Sequence, residues 1–162
     1  MLSSKLLDDI GRQILRILQE DGRISFNELG RRVGLSSPAV AERVRRMEEA
    51  GIILGYRAVV NQARIGYPIM AFIRLSIPVS NLPQADELAK NIPEVLECHH
   101  LTGSDGVILK VVVSSVGHLE EVISQMGSCG MTTTAIVLSS PVLERPIDPI
   151  KLVNGDSSFA EL

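Results

Sequence analysis

The chain has 162 residues, 45% hydrophobic and 22% charged, with a formal net charge of −3. That is the composition of a soluble globular protein of one or two small domains. No apolar run reaches membrane-spanning length, and the N-terminus lacks the basic-then-apolar pattern of a secretory signal, so a cytoplasmic protein without membrane contact is expected. Two cysteines, Cys98 and Cys129, exclude a disulfide framework and are expected as free thiols.

Charge is unevenly spread. Residues 1–60 hold ten Lys/Arg against eight Asp/Glu, a net of +2, and residues 61–162 hold six against eleven, a net of −5. A weakly basic head on an acidic body fits nucleic-acid contact through the head alone. Its small charge implies modest affinity per copy, so several heads are expected to act together.

In chain order, Leu7, Ile10, Ile14, Ile17 and Leu18 recur at helical spacing and predict a helix over 7–20, ended at Asp21-Gly22, with Gly11 as a mild defect. Ser25-Phe26-Asn27-Glu28 fits a capping box, with Glu28 reaching back to the cap amide. Leu29 and Val33 continue that second helix, and Gly34 ends it in a left-handed conformation. Ser36 or Ser37 caps a third helix, with Pro38 in its first turn.

Val40, Val44 and Met47 form the buried stripe of the third helix, while Pro38, Ala41, Glu42, Arg45 and Glu49 lie opposite, flanked by Arg46, with Arg43 nearer the buried edge. Two short helices around a Gly turn, the second rich in arginine, are the layout of a DNA-reading helix-turn-helix. Ser36, Ser37 and Pro38 stand where amides and the helix dipole favour phosphate. Ala41, Glu42 and Arg45 face the groove, and Arg43 and Arg46 are expected to clamp backbone. The alternative is a solvated helix whose glutamates dilute its arginines.

Residues 52–61 read as an extended connector, with Tyr56 and Val59-Val60 as strand formers, giving a winged-type head. Beyond them, strands are expected over 69–77, 95–102, 107–114 and 132–139, with helical stripes at Leu82 to Ile92 and Leu119 to Met126. The order βαββαβ implies a ferredoxin-like antiparallel sheet with both helices on one face, and an α+β fold class overall. The expected domains are 1–60 for the head, 61–145 for the body and 146–162 for a tail. The tail is expected to add an edge strand near Val142-Leu143 and then fray.

Both faces of the central strands are apolar: Val107, Leu109, Val111 and Val113 on one side, Ile108 and Val112 with Met70 and Phe72 on the other. A sheet covered on one side normally alternates with polar residues. A second copy is therefore expected on the open face, as an obligate dimer.

Residues 7–145 resemble the Lrp/AsnC family, the leucine-responsive or feast/famine regulators. The resemblance is carried by Ile14-Leu15, Asp21-Gly22-Arg23, Leu35-Ser36, Glu42-Arg43-Val44, Ala50-Gly51-Ile52-Ile53, Gly66-Tyr67, Thr102-Gly103-Ser104-Asp105 and the run from Thr132 to Leu138. It implies sequence-specific binding to double-stranded DNA, a body that binds a small-molecule effector such as an amino acid where subunits meet, and dimers that assemble further, often into octamers.

On this resemblance the expected effector residues are Leu101, Thr102, Gly103, Ser104, Asp105, Gly106, Thr132 and Thr134. Two positions depart from the pattern: Gly11 stands where an acidic residue is usual, and Gly106 where an aromatic usually follows the loop aspartate, so leucine is not assumed as the effector. From the residues alone, the loop also fits a plain hairpin turn.

No metal site, cofactor or catalytic constellation is expected. On a strand His99 and His100 point to opposite faces and cannot share an ion, and no Ser-His-Asp, paired-carboxylate or phosphate-loop pattern stands out. The alternatives are a sirohaem-decarboxylase-like enzyme, whose His-Asn-Tyr-x-Arg type motif is absent, and a ligand-binding assembly module that has lost DNA binding.

Overall fold

A computed structural model describes residues 6–103 and 106–148. The chain forms two compact units, residues 1–58 with 142–162, and residues 59–141.

Among the described residues the first unit is built on α1 (Asp9–Glu20), α2 (Phe26–Val33) and α3 (Ser37–Glu49). Each begins on a side-chain cap: Asp8, Ser25 and Ser36 accept the amides of Gly11, Glu28 and Ala39 at 2.7, 3.2 and 3.4 Å. Such caps satisfy amides with no partner inside the helix. The core joins Ile14, Leu15, Leu29, Val33, Val40, Val44 and Met47. The α2 and α3 stripes are those expected from spacing, whereas on α1 Leu15 joins Ile14 in the core and Leu7, Ile10, Ile17 and Leu18 are partly buried around it.

Two glycines set how closely these helices approach. A β-carbon on Gly11 would lie 1.8 Å from the Leu6 carbonyl oxygen, and one on Gly30 would lie 2.5 Å from that of Leu35. Both distances are far inside van der Waals contact. Gly11 is therefore not a defect of α1: it admits the incoming chain. Gly30 admits the turn to α3, where the Leu35 amide donates to the Gly30 carbonyl at 2.9 Å. Gly34 ends α2 at φ +72°, as expected.

Three further expectations for this unit are corrected. Glu28 does not close a capping box, because its carboxylate takes Arg31 and Arg32 at 2.7–2.9 Å. Two cations outcompete one neutral amide. The connector forms no wing strand among the described residues: 52–60 is irregular, and Leu54, Tyr56, Val59 and Val60 are exposed. Strand formers without a neighbouring ladder leave their backbone groups unpaired.

The third correction concerns Val142-Leu143, which adds no edge strand. Pro141 and Pro146 lack amides, and Glu144 takes φ +46°, which interrupts extended backbone. Residues 142–148 instead belong with the first unit. Gln19 exchanges two hydrogen bonds with the Ile147 backbone, both 2.9 Å, and Arg57 reaches Glu144 at 3.1 Å.

The second unit follows the order β1 (Ile69–Ser76), α4 (Leu82–Asn91), β2 (Val95–His100), β3 (Val107–Val113), α5 (Val116–Gly127) and β4 (Met131–Ile136). The sheet order is β2-β3-β1-β4, every pair antiparallel, which is the ferredoxin-like arrangement expected. Ala71, Ile73, Leu75, Val107, Leu109, Val111 and Val113 are fully buried against Ala85 and Ala89 of α4 and Leu119, Val122 and Met126 of α5.

On the other face Val112 is buried, Met70 and Ile108 are half-buried, and Phe72 is 36% exposed. Cross-strand register places Phe72 beside Lys110 and Arg74 beside Ile108, so this face mixes apolar and cationic side chains.

Candidate nucleic-acid interface and effector loop

The exposed face of α3 is built by its cap and its core stripe. Burial of Val40, Val44 and Met47 fixes the rotation of the helix and turns Pro38, Arg45 and Arg46 outward, with Ser36 exposed at the cap. Ser37, Ala41 and Glu42 are half-buried along the same edge.

Glu42 organises the charges of this face. Arg45 donates to both its carboxylate oxygens at 2.8 and 2.9 Å, and Arg46 donates to one at 2.7 Å. Arg45 also pairs with Glu49. The hydrogen bonds from Arg45, and next those from Arg46, hold the Glu42 carboxyl down at about 2, far below the usual carboxylate range. The arginines are exposed but already engaged. Exposed pairs of this kind add little to the stability of the fold.

Arg43 has a different partner. Its Nη1 and Nη2 donate to Asp8 Oδ1 and Oδ2, each at 2.9 Å. This bidentate pair ties α3 to the N-terminus of α1, across 35 residues of sequence. The Arg43 hydrogen bond first, and then the Gly11 amide, hold the Asp8 carboxyl below its ordinary value, while burial acts in the opposite direction. Asp8 carries no motif signal, because its partner is distant in sequence. Only its place just before a helical stripe marks it, as a cap.

The hairpin between β2 and β3 is closed by the Leu101 amide donating to the Gly106 carbonyl at 2.7 Å. Gly103 and Gly106 adopt φ +104° and +63°, values that glycine takes without strain. Ser104 and Asp105 lie outside the described residues. Leu75 pairs with Val107 on one side and Thr132 on the other, which brings Gly106 and Thr132 to one end of the sheet. Thr134 sits two residues further along, opposite Ile73. Both threonines are half-buried on the helix-covered face, whereas Leu101, Thr102 and Gly103 are exposed.

A shallow groove of about 630 Å³ runs between α4 and edge strand β2, with Asp86, Lys90, Leu96 and His100 in its lining and none of the expected effector residues. His99 pairs with Glu97 at 3.3 Å on the open face, and His100 with Asp86 at 2.8 Å on the helix side, as strand alternation requires. Burial, and next the charge of Asp86, push the Cys98 thiol up, so it is not an activated nucleophile. Among the described residues no three His, Cys, Asp or Glu side chains converge on a metal-sized site.

A capped helix-turn-helix joined to a four-stranded antiparallel domain with a glycine loop defines a class: two-domain transcriptional regulators. Residues 7–48 match the AsnC-type helix-turn-helix domain, and residues 70–147 match the Lrp/AsnC ligand binding domain. The chain belongs to the Lrp/AsnC family of helix-turn-helix transcriptional regulators.

It is 42% identical over 134 residues to the uncharacterized regulator YezC of Bacillus subtilis, covering 83% of this chain and 95% of that protein. The feast or famine regulatory protein of Mycobacterium tuberculosis, solved in complex with L-methionine, superposes with a TM-score of 0.81 at 34% identity, covering 88% of this chain and 99% of that one. A Neisseria meningitidis transcriptional regulator, also solved with L-methionine, gives 0.82 at 28% identity, covering 87% and 96%.

Proposed function

We propose that this regulator reads duplex DNA with α3 and that an amino acid, bound by the body near Gly103 to Gly106 and Thr132, modulates that binding. The observation that carries the DNA half is the outward face of α3: a capped second helix with Arg45 and Arg46 exposed above a fully buried stripe. Support for the effector half comes from the ligand-binding-domain match and from two related regulators solved with L-methionine.

On this reading Ser36, Ser37 and Pro38 meet phosphate, Ala41, Glu42 and Arg45 face base edges, and Arg46 clamps backbone. Arg43 acts indirectly, by fixing α3 against α1. We place the boundary between head and body near residue 59, in line with the two compact units. Copies associate through the open sheet face into a dimer that assembles further, and the effector acts by preferring one assembly state over another. No catalytic role or cofactor enters this scheme, and the protein works in the cytoplasm, where its DNA lies. Among the described residues no helix is long and apolar enough to cross a membrane.

Arg45→Ala tests the groove face. The expected result is weaker DNA binding in a titration, with the slope of log affinity against log salt reduced by about one. Affinity and slope both equal to the parent protein's would remove Arg45 from the interface.

A further inference from the structure

The two helices of the helix-turn-helix carry the same charge device. Glu28-Leu29-Gly30-Arg31-Arg32 and Glu42-Arg43-Val44-Arg45-Arg46 each set a glutamate three and four residues before an arginine pair. In both, the carboxylate holds both guanidinium groups at 2.7–2.9 Å. On α3, Glu49 also pairs with Arg45, so two arginines face two glutamates and the outward face has no net charge. Non-specific DNA binding is driven almost wholly by cations available to phosphate. An arginine pair held by its own glutamate is a poor ligand for a uniform polyanion, because phosphate must displace the carboxylate and then lie beside it.

We propose that Glu42 is a specificity-determining residue: its carboxylate competes with phosphate for Arg45 and Arg46 and gives them up where a base-edge amine donates to it in exchange. The major-groove amine that suits a carboxylate is the cytosine N4 group. At such a site Glu42 accepts from the base and the arginines turn to phosphate or guanine. At other sites Glu42 remains beside phosphate and weakens the complex. Glu28 does the same for charge on α2, but in a helix-turn-helix that helix crosses the backbone and does not meet base edges. Its effect is on affinity alone.

This inference rests on α3 being the DNA-contacting helix. The test compares the parent chain with Glu42→Gln and Glu28→Gln, two nearly isosteric neutral variants at half-buried positions. The probes are a duplex selected by the parent from a random-sequence library and a shuffled duplex of the same composition. Glu42→Gln is expected to bind the shuffled duplex more tightly, with a salt slope steeper by about one. Its ratio of selected to shuffled affinity is expected to fall about tenfold, within the range of one base-edge contact. Glu28→Gln is expected to raise both affinities together and keep the ratio.

Equal behaviour of the two variants, or no change in the ratio for Glu42→Gln, overturns the proposal while leaving α3 as the DNA helix. A parent chain that selects no duplex overturns the DNA reading itself.

Discussion

At the scale of single residues, the Asp8–Arg43 pair joins stability to function. Asp8 caps α1 through the Gly11 amide and receives both ends of Arg43 from α3. Its carboxyl is held below the ordinary 3.8, so this contribution is fully present above that value and is lost as pH falls through the lower folded value. Glu28 and Glu42, both held down at about 2, are still ionised at pH 3.8. Asp8→Asn keeps a capping oxygen but loses the charge. It is expected to destabilise the head by about 1 kcal/mol near neutral pH, the scale of a cap or a half-exposed ion pair. The gap to the parent should narrow as pH falls below 3.8 and the Asp8 carboxylate takes up its proton. Urea titrations at several pH values check this; a constant gap would show that the charge is not what Asp8 contributes.

At the scale of elements, the angle between α2 and α3 depends on Gly30. Its missing β-carbon lets the Leu35 carbonyl approach, and the turn at 34–36 closes over it. Gly30→Ala would gain helix propensity of up to about 1 kcal/mol. It would also force the turn outward, an overpacking cost of roughly 1–3 kcal/mol. The expected outcome is a lower melting temperature together with a larger relative loss of DNA affinity, because α3 is re-aimed. A stabilised variant with full DNA binding would show that the turn yields freely.

These elements show what could be read from sequence and what could not. Ser25, Gly34, Ser36 and the Val40-Val44-Met47 stripe were legible because a cap, a left-handed end and a helical face are local patterns. The strand order was legible because strand and helix periods alternate cleanly from Ile69 to Ile136. Asp8–Arg43, Gly11–Leu6 and Gly30–Leu35 were not, because each depends on where folding brings a second segment. Gly11 reads as a flaw within α1 and becomes a packing requirement only beside Leu6. Val142-Leu143 misled for a similar reason: strand propensity is expressed only where a ladder accepts it. In the loop between β2 and β3, glycine at 103 and 106 was legible as turn chemistry, whereas the placing of Gly106 and Thr132 at one end of the sheet, on either side of β1, needed the register.

At the scale of the whole molecule, a weakly charged head is joined to a body whose second face mixes apolar and cationic side chains. A single head with a net of +2 gains little from phosphate, which is why we propose that copies act together. Phe72, in the middle of the open face and outside the buried core, is the place to test this. Phe72→Asp is expected to leave the melting of the isolated body fold nearly intact. It should shift sedimentation at micromolar concentration toward the monomer, since each copy forfeits roughly 1.5–3 kcal/mol of apolar burial and must bury a charge. An unchanged sedimentation profile would place the interface elsewhere.

The most direct test of the central claim is a mobility-shift titration of the full chain on duplex DNA upstream of its own gene, with each amino acid added in turn. An effector-gated DNA reader gives a salt-sensitive retarded complex whose midpoint or stoichiometry moves with at least one amino acid. No retarded complex on that duplex or on library DNA, or one indifferent to every amino acid, would contradict it.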